Sequence, residues 1–162
     1  MTNTTDTHLP TIVYVEDNGG DTLLLEEALR AKGHNSQLLI IDRGDTALHY
    51  FQVKETAEDV PPPHCILLDS HLPIVSGVGL ITFIRGSRIF DKTPVYIFAD
   101  ASLYKDALMK RLVSAKSFLE KPRDWAGFLA LADHLMRSAE VTMREQTQGS
   151  PEIQPPNDLA NE

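Results

Sequence analysis

The chain has 162 residues, 42% of them hydrophobic, and a formal net charge of -8. That length suffices for one domain with a full hydrophobic core. The acidic balance excludes wholesale binding to nucleic acid or to an anionic membrane surface, since both need a basic face.

The first ten residues, MTNTTDTHLP, are polar and lack the apolar stretch of a signal peptide. Residues 1–9 are expected to be flexible. No apolar run is long enough to span a bilayer, so a soluble cytoplasmic protein is expected. The single cysteine, Cys65, rules out an intrachain disulfide and sits in an apolar run, as a small core residue would.

In chain order, short β-like runs alternate with longer helical patterns, which implies an α/β fold with a parallel sheet. Strands are expected at Thr11–Val15, Gln37–Ile41, Cys65–Leu68, Pro94–Phe98 and Lys116–Leu119. Their near-continuous apolar character suits strands covered on both faces. The first helix is expected over about Asp21–Lys32, with Leu24, Leu25, Ala28 and Leu29 as its apolar stripe and Gly33 placed to end it. A second covers about Asp45–Lys54, a third Val78–Arg85 and a fourth Ser102–Val113. The fifth starts at Asp124, a suitable N-cap, and continues to about Glu145. Its apolar positions include Trp125, Phe128, Leu129, Ala132, Leu135, Met136 and Ala139. The one domain therefore spans residues 10–145, and the polar residues 146–162 read as a disordered tail.

Ligands of parallel α/β sheets bind beyond the carboxyl ends of the strands. Here those ends carry Glu16-Asp17-Asn18 after the first strand and Asp69 after the third. Ala99-Asp100 follows the fourth and Glu120-Lys121-Pro122 the fifth. Clustered carboxylates repel, so at least one has a raised pKa unless a cation neutralises the group. Oxygen ligands suit a hard cation such as Mg²⁺. An aspartate beside Mg²⁺ and a lysine is a credible phosphoryl acceptor, because both cations neutralise charge spreading over the phosphoryl oxygens. The histidines show no metal-ligand spacing.

Four pieces in order carry a resemblance: Ile12-Val13-Tyr14-Val15-Glu16-Asp17-Asn18; Ile66-Leu67-Leu68-Asp69-Ser70-His71-Leu72-Pro73 with Gly77; Pro94-Val95-Tyr96-Ile97-Phe98; and Ser117-Phe118-Leu119-Glu120-Lys121-Pro122. Together they resemble the receiver domains of response regulators over roughly residues 10–145. The resemblance implies a flavodoxin-like, doubly wound sheet of five parallel strands in the order 2-1-3-4-5. It assigns Asp69 as phosphoacceptor and Glu16, Asp17 and Asp69 as Mg²⁺ ligands, joined by the backbone carbonyl of His71. Lys121 would pair with the phosphate and Phe118 would be the switch aromatic, although Phe118 also suits an ordinary core position. The peptide before Pro122 is often cis in this family.

One position departs from the pattern. A Ser or Thr normally ends the fourth strand and bonds the phosphoryl group, but here the residue is Ala99, followed by Asp100. The expected function is a single-domain response regulator of a two-component phosphorelay, accepting phosphate from a sensor histidine kinase and not itself an enzyme on other substrates. The Val-Glu-Asp-Asn-Gly-Gly-Asp style and the long last helix are similar to regulators paired with bacterial phytochromes, which implies a homodimer built from the terminal elements. The competing expectation, prompted by Ala99, is a receiver-like binding module that signals without phosphate. Aspartyl-phosphate hydrolases usually carry a second acid two residues after the nucleophile, where this chain has His71.

Overall fold

Among the described residues, five short strands form one parallel sheet: β1 (Thr11–Val15), β2 (Gln37–Ile41), β3 (Cys65–Asp69), β4 (Val95–Phe98) and β5 (Phe118–Leu119). Their spatial order is β2-β1-β3-β4-β5, as expected. The helices between and after them are α1 (Gly19–Ala31), α2 (Gly44–Thr56), α3 (Gly77–Gly86), α4 (Ala101–Lys105), α5 (Ala107–Leu112) and α6 (Trp125–Gln148). The structure is a computed structural model and describes residues 8–57 and 59–149. Of the termini expected to lack structure, residues 1–7 and 150–162 lie outside the described residues. Residues 146–148 instead continue α6. Among the described residues, no helix is long and apolar enough to cross a membrane.

Side chains of a strand alternate between its two faces, and the sheet accordingly separates two apolar layers. Val13, Val15, Ile66, Leu68 and Ile97 pack on one face against Ala47, Phe51, Leu80, Ile81 and Ile84 of α2 and α3. Ile12, Tyr14, Cys65, Leu67 and Phe98 pack on the other against Leu25, Ala28 and Leu29 of α1 and Phe128, Ala132 and Leu135 of α6. β3 is central and all five of its residues are buried. Cys65 is a core residue, and burial pushes its thiol pKa up.

Four expectations need correction. β2 pairs only with β1, so this edge strand leaves Leu39 and Ile40 exposed rather than covered on both faces. The single fourth helix is two helices. Asp106 adopts an extended ψ of 126° and its side chain accepts a hydrogen bond from the Met109 N–H, so it caps α5 where the sequence pattern would have continued α4. Trp125 stands at the first position of α6 and is 44% exposed, outside the core stripe that begins at Phe128. Among the described residues no peptide bond is cis, so the bond before Pro122 is trans.

The cap signals read from the sequence hold. Gly33 has φ +69°, and the N–H groups of Gly33 and His34 donate to Arg30 O and Leu29 O, which closes α1 with a Schellman motif. Asp124 accepts from the Gly127 N–H at 2.7 Å and starts α6.

The β3–α3 loop is packed tightly where it leaves the sheet. A Cβ on Gly77 would lie 2.4 Å from Asp69 O, and one on Gly44 would lie 1.8 Å from Val75 O. Only glycine allows α3 and α2 to approach the loop this closely. Within it, Val75 N–H donates to Pro73 O at 2.9 Å around Ile74, whose φ is 70°. That is a γ-turn with positive φ, a strained form for a β-branched residue. Ile74 is 73% exposed, so its side chain returns little burial for that strain. Ile74→Gly is therefore expected to raise unfolding free energy by about 1 kcal/mol. Urea unfolding checks this, and a loss of stability would contradict the strain assignment.

Candidate functional site

The site is built from the carboxyl ends of β1 and β3. Val15 pairs with Leu68 in register, so the next residues of the two strands, Glu16 and Asp69, emerge side by side. Both are buried, while Asp17 is exposed. Carboxylate oxygens of Glu16, Asp17 and Asp69 lie within 4.8 Å of one another. Asn18 then accepts from the Gly20 and Asp21 N–H groups and turns the chain directly into α1. On the other side, His71 N–H donates to Asp69 Oδ1 at 3.2 Å.

Lys121 follows β5 and reaches back over this group. Its Nζ lies 2.9 Å from Glu16 Oε1, 2.8 Å from Asp21 Oδ2 and 3.5 Å from Asp69 Oδ2. Glu16, Asp17, Asp69 and Lys121 face a cleft of about 1080 Å³, whose walls also include Ala99, Asp100, Phe118 and Tyr104. The structure thus brings together Glu16, Asp17, Asp69 and Lys121 as the sequence implied, and adds a carboxylate that the sequence reading did not single out. Asp21 is the third residue of α1, in the turn that Asn18 caps. A signal was available: a helix starting at Gly19 puts its third residue at the same end of the sheet as its cap.

The electrostatics follow from burial. Glu16 is 1% exposed, and desolvation together with the neighbouring Asp69 carboxylate pushes its pKa up to about 7 against the opposing pull of Lys121. Burial alone would lower the Lys121 pKa, but the Asp21 and Glu16 carboxylates overcome this and raise it. Among the described residues, Glu16 Oε2 and the Tyr14 hydroxyl are buried with no hydrogen-bond partner. An orphaned buried carboxylate oxygen beside two further carboxylates fits a hard divalent cation, for which oxygen donors are the preferred set.

The remaining positions form the cleft's far wall. Ala99 N–H donates to Leu119 O at 3.1 Å, and its side chain has no hydroxyl to offer Asp69. The Asp100 carboxylate accepts from Ser102 and from the Leu103 N–H, which caps α4. It also faces His71 Nε2 at 3.5 Å across the cleft mouth, both side chains being exposed. Phe118 is half-buried, packs on the α3 side of the core and meets the Tyr104 ring edge to face at 5.3 Å.

No protein-family model matches the chain. Response regulator Rcp1 of Synechocystis sp. is 26% identical over 113 residues, 70% of this chain and 77% of Rcp1. The solved structure of the Mn(2+)-bound form of Rcp1 has a TM-score of 0.63 at 23% identity, covering 77% of this chain and 90% of that one. The phosphorylated cyanobacterial phytochrome response regulator RcpA has a TM-score of 0.68 at 20% identity, covering 83% and 96% of the two chains. The bacteriophytochrome response regulator AtBRR has a TM-score of 0.61 at 25% identity, covering 79% and 93%.

The chain has the fold of a response regulator receiver domain. It is similar to phytochrome-associated response regulators.

The buried acid at this site makes the stability of the chain depend on pH. Glu16 binds its proton more tightly in the folded chain, with a pKa of about 7 against an ordinary 4.5. Between those values the folded state holds more protons than the unfolded state, so stability falls as pH rises through that window. Glu16→Gln is expected to flatten the fall and, at pH 8 without divalent cations, to gain up to about 3 kcal/mol. Urea unfolding from about pH 4 to pH 8 measures this; parallel curves for parent and variant would contradict it.

Proposed function

We propose that this receiver acts in two-component signalling by accepting a phosphoryl group on Asp69 from a sensor histidine kinase. The observation that carries the proposal is the convergence of Glu16, Asp17 and Asp69 on one point with Lys121 above them. An Asp69 carboxylate oxygen attacks phosphorus, the bond from phosphorus to the donor's histidine nitrogen breaks, and an aspartyl phosphate results. Mg²⁺, held by Glu16, Asp17, Asp69 and the His71 carbonyl, would neutralise charge on the transferring group. Lys121 supplies the second positive charge from the chain itself. The His71 N–H bond to Asp69 Oδ1 orients the carboxylate.

The Mn(2+)-bound and phosphorylated forms of the similar regulators support both halves of this reading. A bacterial phytochrome is the proposed kinase class and the cytoplasm the proposed location. The chain's own chemistry is limited to gaining and losing this phosphoryl group. A module that signals without phosphate is not favoured, because it would leave this costly clustering of buried acids without a purpose. Ala99 alters the response to phosphate rather than its acceptance: with no hydroxyl to bond the phosphoryl group, the link from Asp69 to Phe118 is weakened. Incubation with acetyl phosphate and Mg²⁺ is expected to add about 80 Da, the mass of one HPO₃ group, to the parent and nothing to Asp69→Asn. Labelling of Asp69→Asn would contradict the assignment.

We also propose a homodimer that uses β5, α6 and the extension beyond Ala139. β5 is a sheet edge of two residues, and Val141 on α6 is exposed while the adjacent Thr142 is buried within the chain. An open sheet edge and an exposed apolar residue on the helix that follows it suit a two-fold contact. Because Thr142 belongs to the chain's own packing, a point change tests this better than truncation. Light scattering at micromolar concentration is expected to give a dimer for the parent and a monomer for Val141→Glu. A monomeric parent, phosphorylated or not, would contradict the dimer.

A further inference from the structure

The ammonium of Lys121 carries three donor protons and stands among three carboxylates. Its two short contacts go to Asp21, at 2.8 Å, and Glu16, at 2.9 Å; Asp69, the proposed acceptor, is furthest at 3.5 Å. Asp21 does not owe its place to Lys121. The Asn18 cap accepts from the Asp21 N–H and fixes the first turn of α1, and Asp21 stands at its third position. A carboxylate there commonly serves the helix dipole from the solvent side. Here its side chain is only 22% exposed and points at a lysine 100 residues away in the chain.

We propose that Asp21 is a positioning residue that holds Lys121 away from Asp69 and competes with the phosphoryl group for its ammonium. This rests on Asp69 being the phosphoacceptor. Of the two short partners, Glu16 belongs to the three-carboxylate cluster, whose charge a divalent cation would take up. Asp21 lies outside that cluster, so it remains the full negative charge facing Lys121 when the cation is bound. Phosphorylation adds charge and oxygens at Asp69. Lys121 then trades its Asp21 contact for the phosphoryl group, and the strength of that contact sets how far the trade proceeds.

Beryllofluoride, which mimics a phosphoryl group on aspartate, reads this competition by calorimetry in saturating Mg²⁺. Asp21→Asn keeps the shape and removes the charge, and is expected to bind about fivefold tighter, the upper range for a partly exposed ion pair. Asp21→Glu restores the charge and should return towards the parent. In a Lys121→Met background, Asp21→Asn should change nothing. A general gain in positive potential would instead persist without the lysine. In the ligand-free protein, the side-chain methylene resonances of Lys121 should shift on Asp21→Asn and not on Asp21→Glu.

A loss of thermal stability alone, with unchanged affinity and resonances, would mean that Asp21 serves only the helix and would overturn the proposal. Equal or weaker binding by Asp21→Asn, or tightening that survives removal of Lys121, would overturn it as well. A parent that fails to bind beryllofluoride would contradict the phosphoacceptor reading itself, and this inference with it. That outcome differs from a parent that binds and a variant that does not improve.

Discussion

A single ammonium, Lys121, stands within 3.5 Å of three carboxylates at one end of the sheet, and a fourth, Asp17, clusters with two of them. The parallel register of β1 with β3 creates the crowding, because it delivers Glu16 and Asp69 to the same depth. In open water such a group would simply be hydrated. Here Glu16 is buried, so its charge is opposed by desolvation and by Asp69, and it holds its proton to near neutrality. One lysine does not balance the group. The structure carries the imbalance as a buried oxygen on Glu16 that has no hydrogen-bond partner among the described residues.

The scaffold keeps that imbalance in place. β3 is buried on both faces between two apolar layers, so Asp69 cannot retreat along the strand. Gly77 lets α3 start within contact of Asp69's own backbone, and the strained turn at Ile74 completes the loop. On the opposite wall, Ala99 and Leu119 tie β4 to β5 through the backbone, which sets where Lys121 emerges. Ala99 offers no hydroxyl across the cleft, so the cation that faces Asp69 is Lys121, which it shares with Glu16 and Asp21.

Much of this was legible in the sequence because it depends on local pattern. The alternation of β-like and helical segments, the apolar strands and the caps at Gly33 and Asp124 are encoded within a few residues of where they act. The cluster of Glu16, Asp17, Asp69 and Lys121 was legible because strand ends of a parallel sheet share one side. What was not legible depends on partners distant in the chain or on competition between local signals. Asp21 looks like an ordinary first-turn acid until Lys121 is placed opposite it. Asp106 offers both a continuing helix and a new cap, and the cap prevails. Trp125 fits the apolar period of α6, yet the sheet ends before reaching it. The exposure of Leu39 and Ile40 follows from β2 lying at the edge, a property of the strand order and not of β2 itself.

Calorimetric titration of Mg²⁺ into the parent and Asp17→Asn asks whether the carboxylate cluster holds a divalent cation. Asp17 is exposed, so the fold does not depend on it, yet it contributes one of the three clustered carboxylates. Saturable binding by the parent is expected, which Asp17→Asn largely loses while remaining folded by circular dichroism. Equal Mg²⁺ affinity in the two proteins, or no binding by the parent, would contradict it.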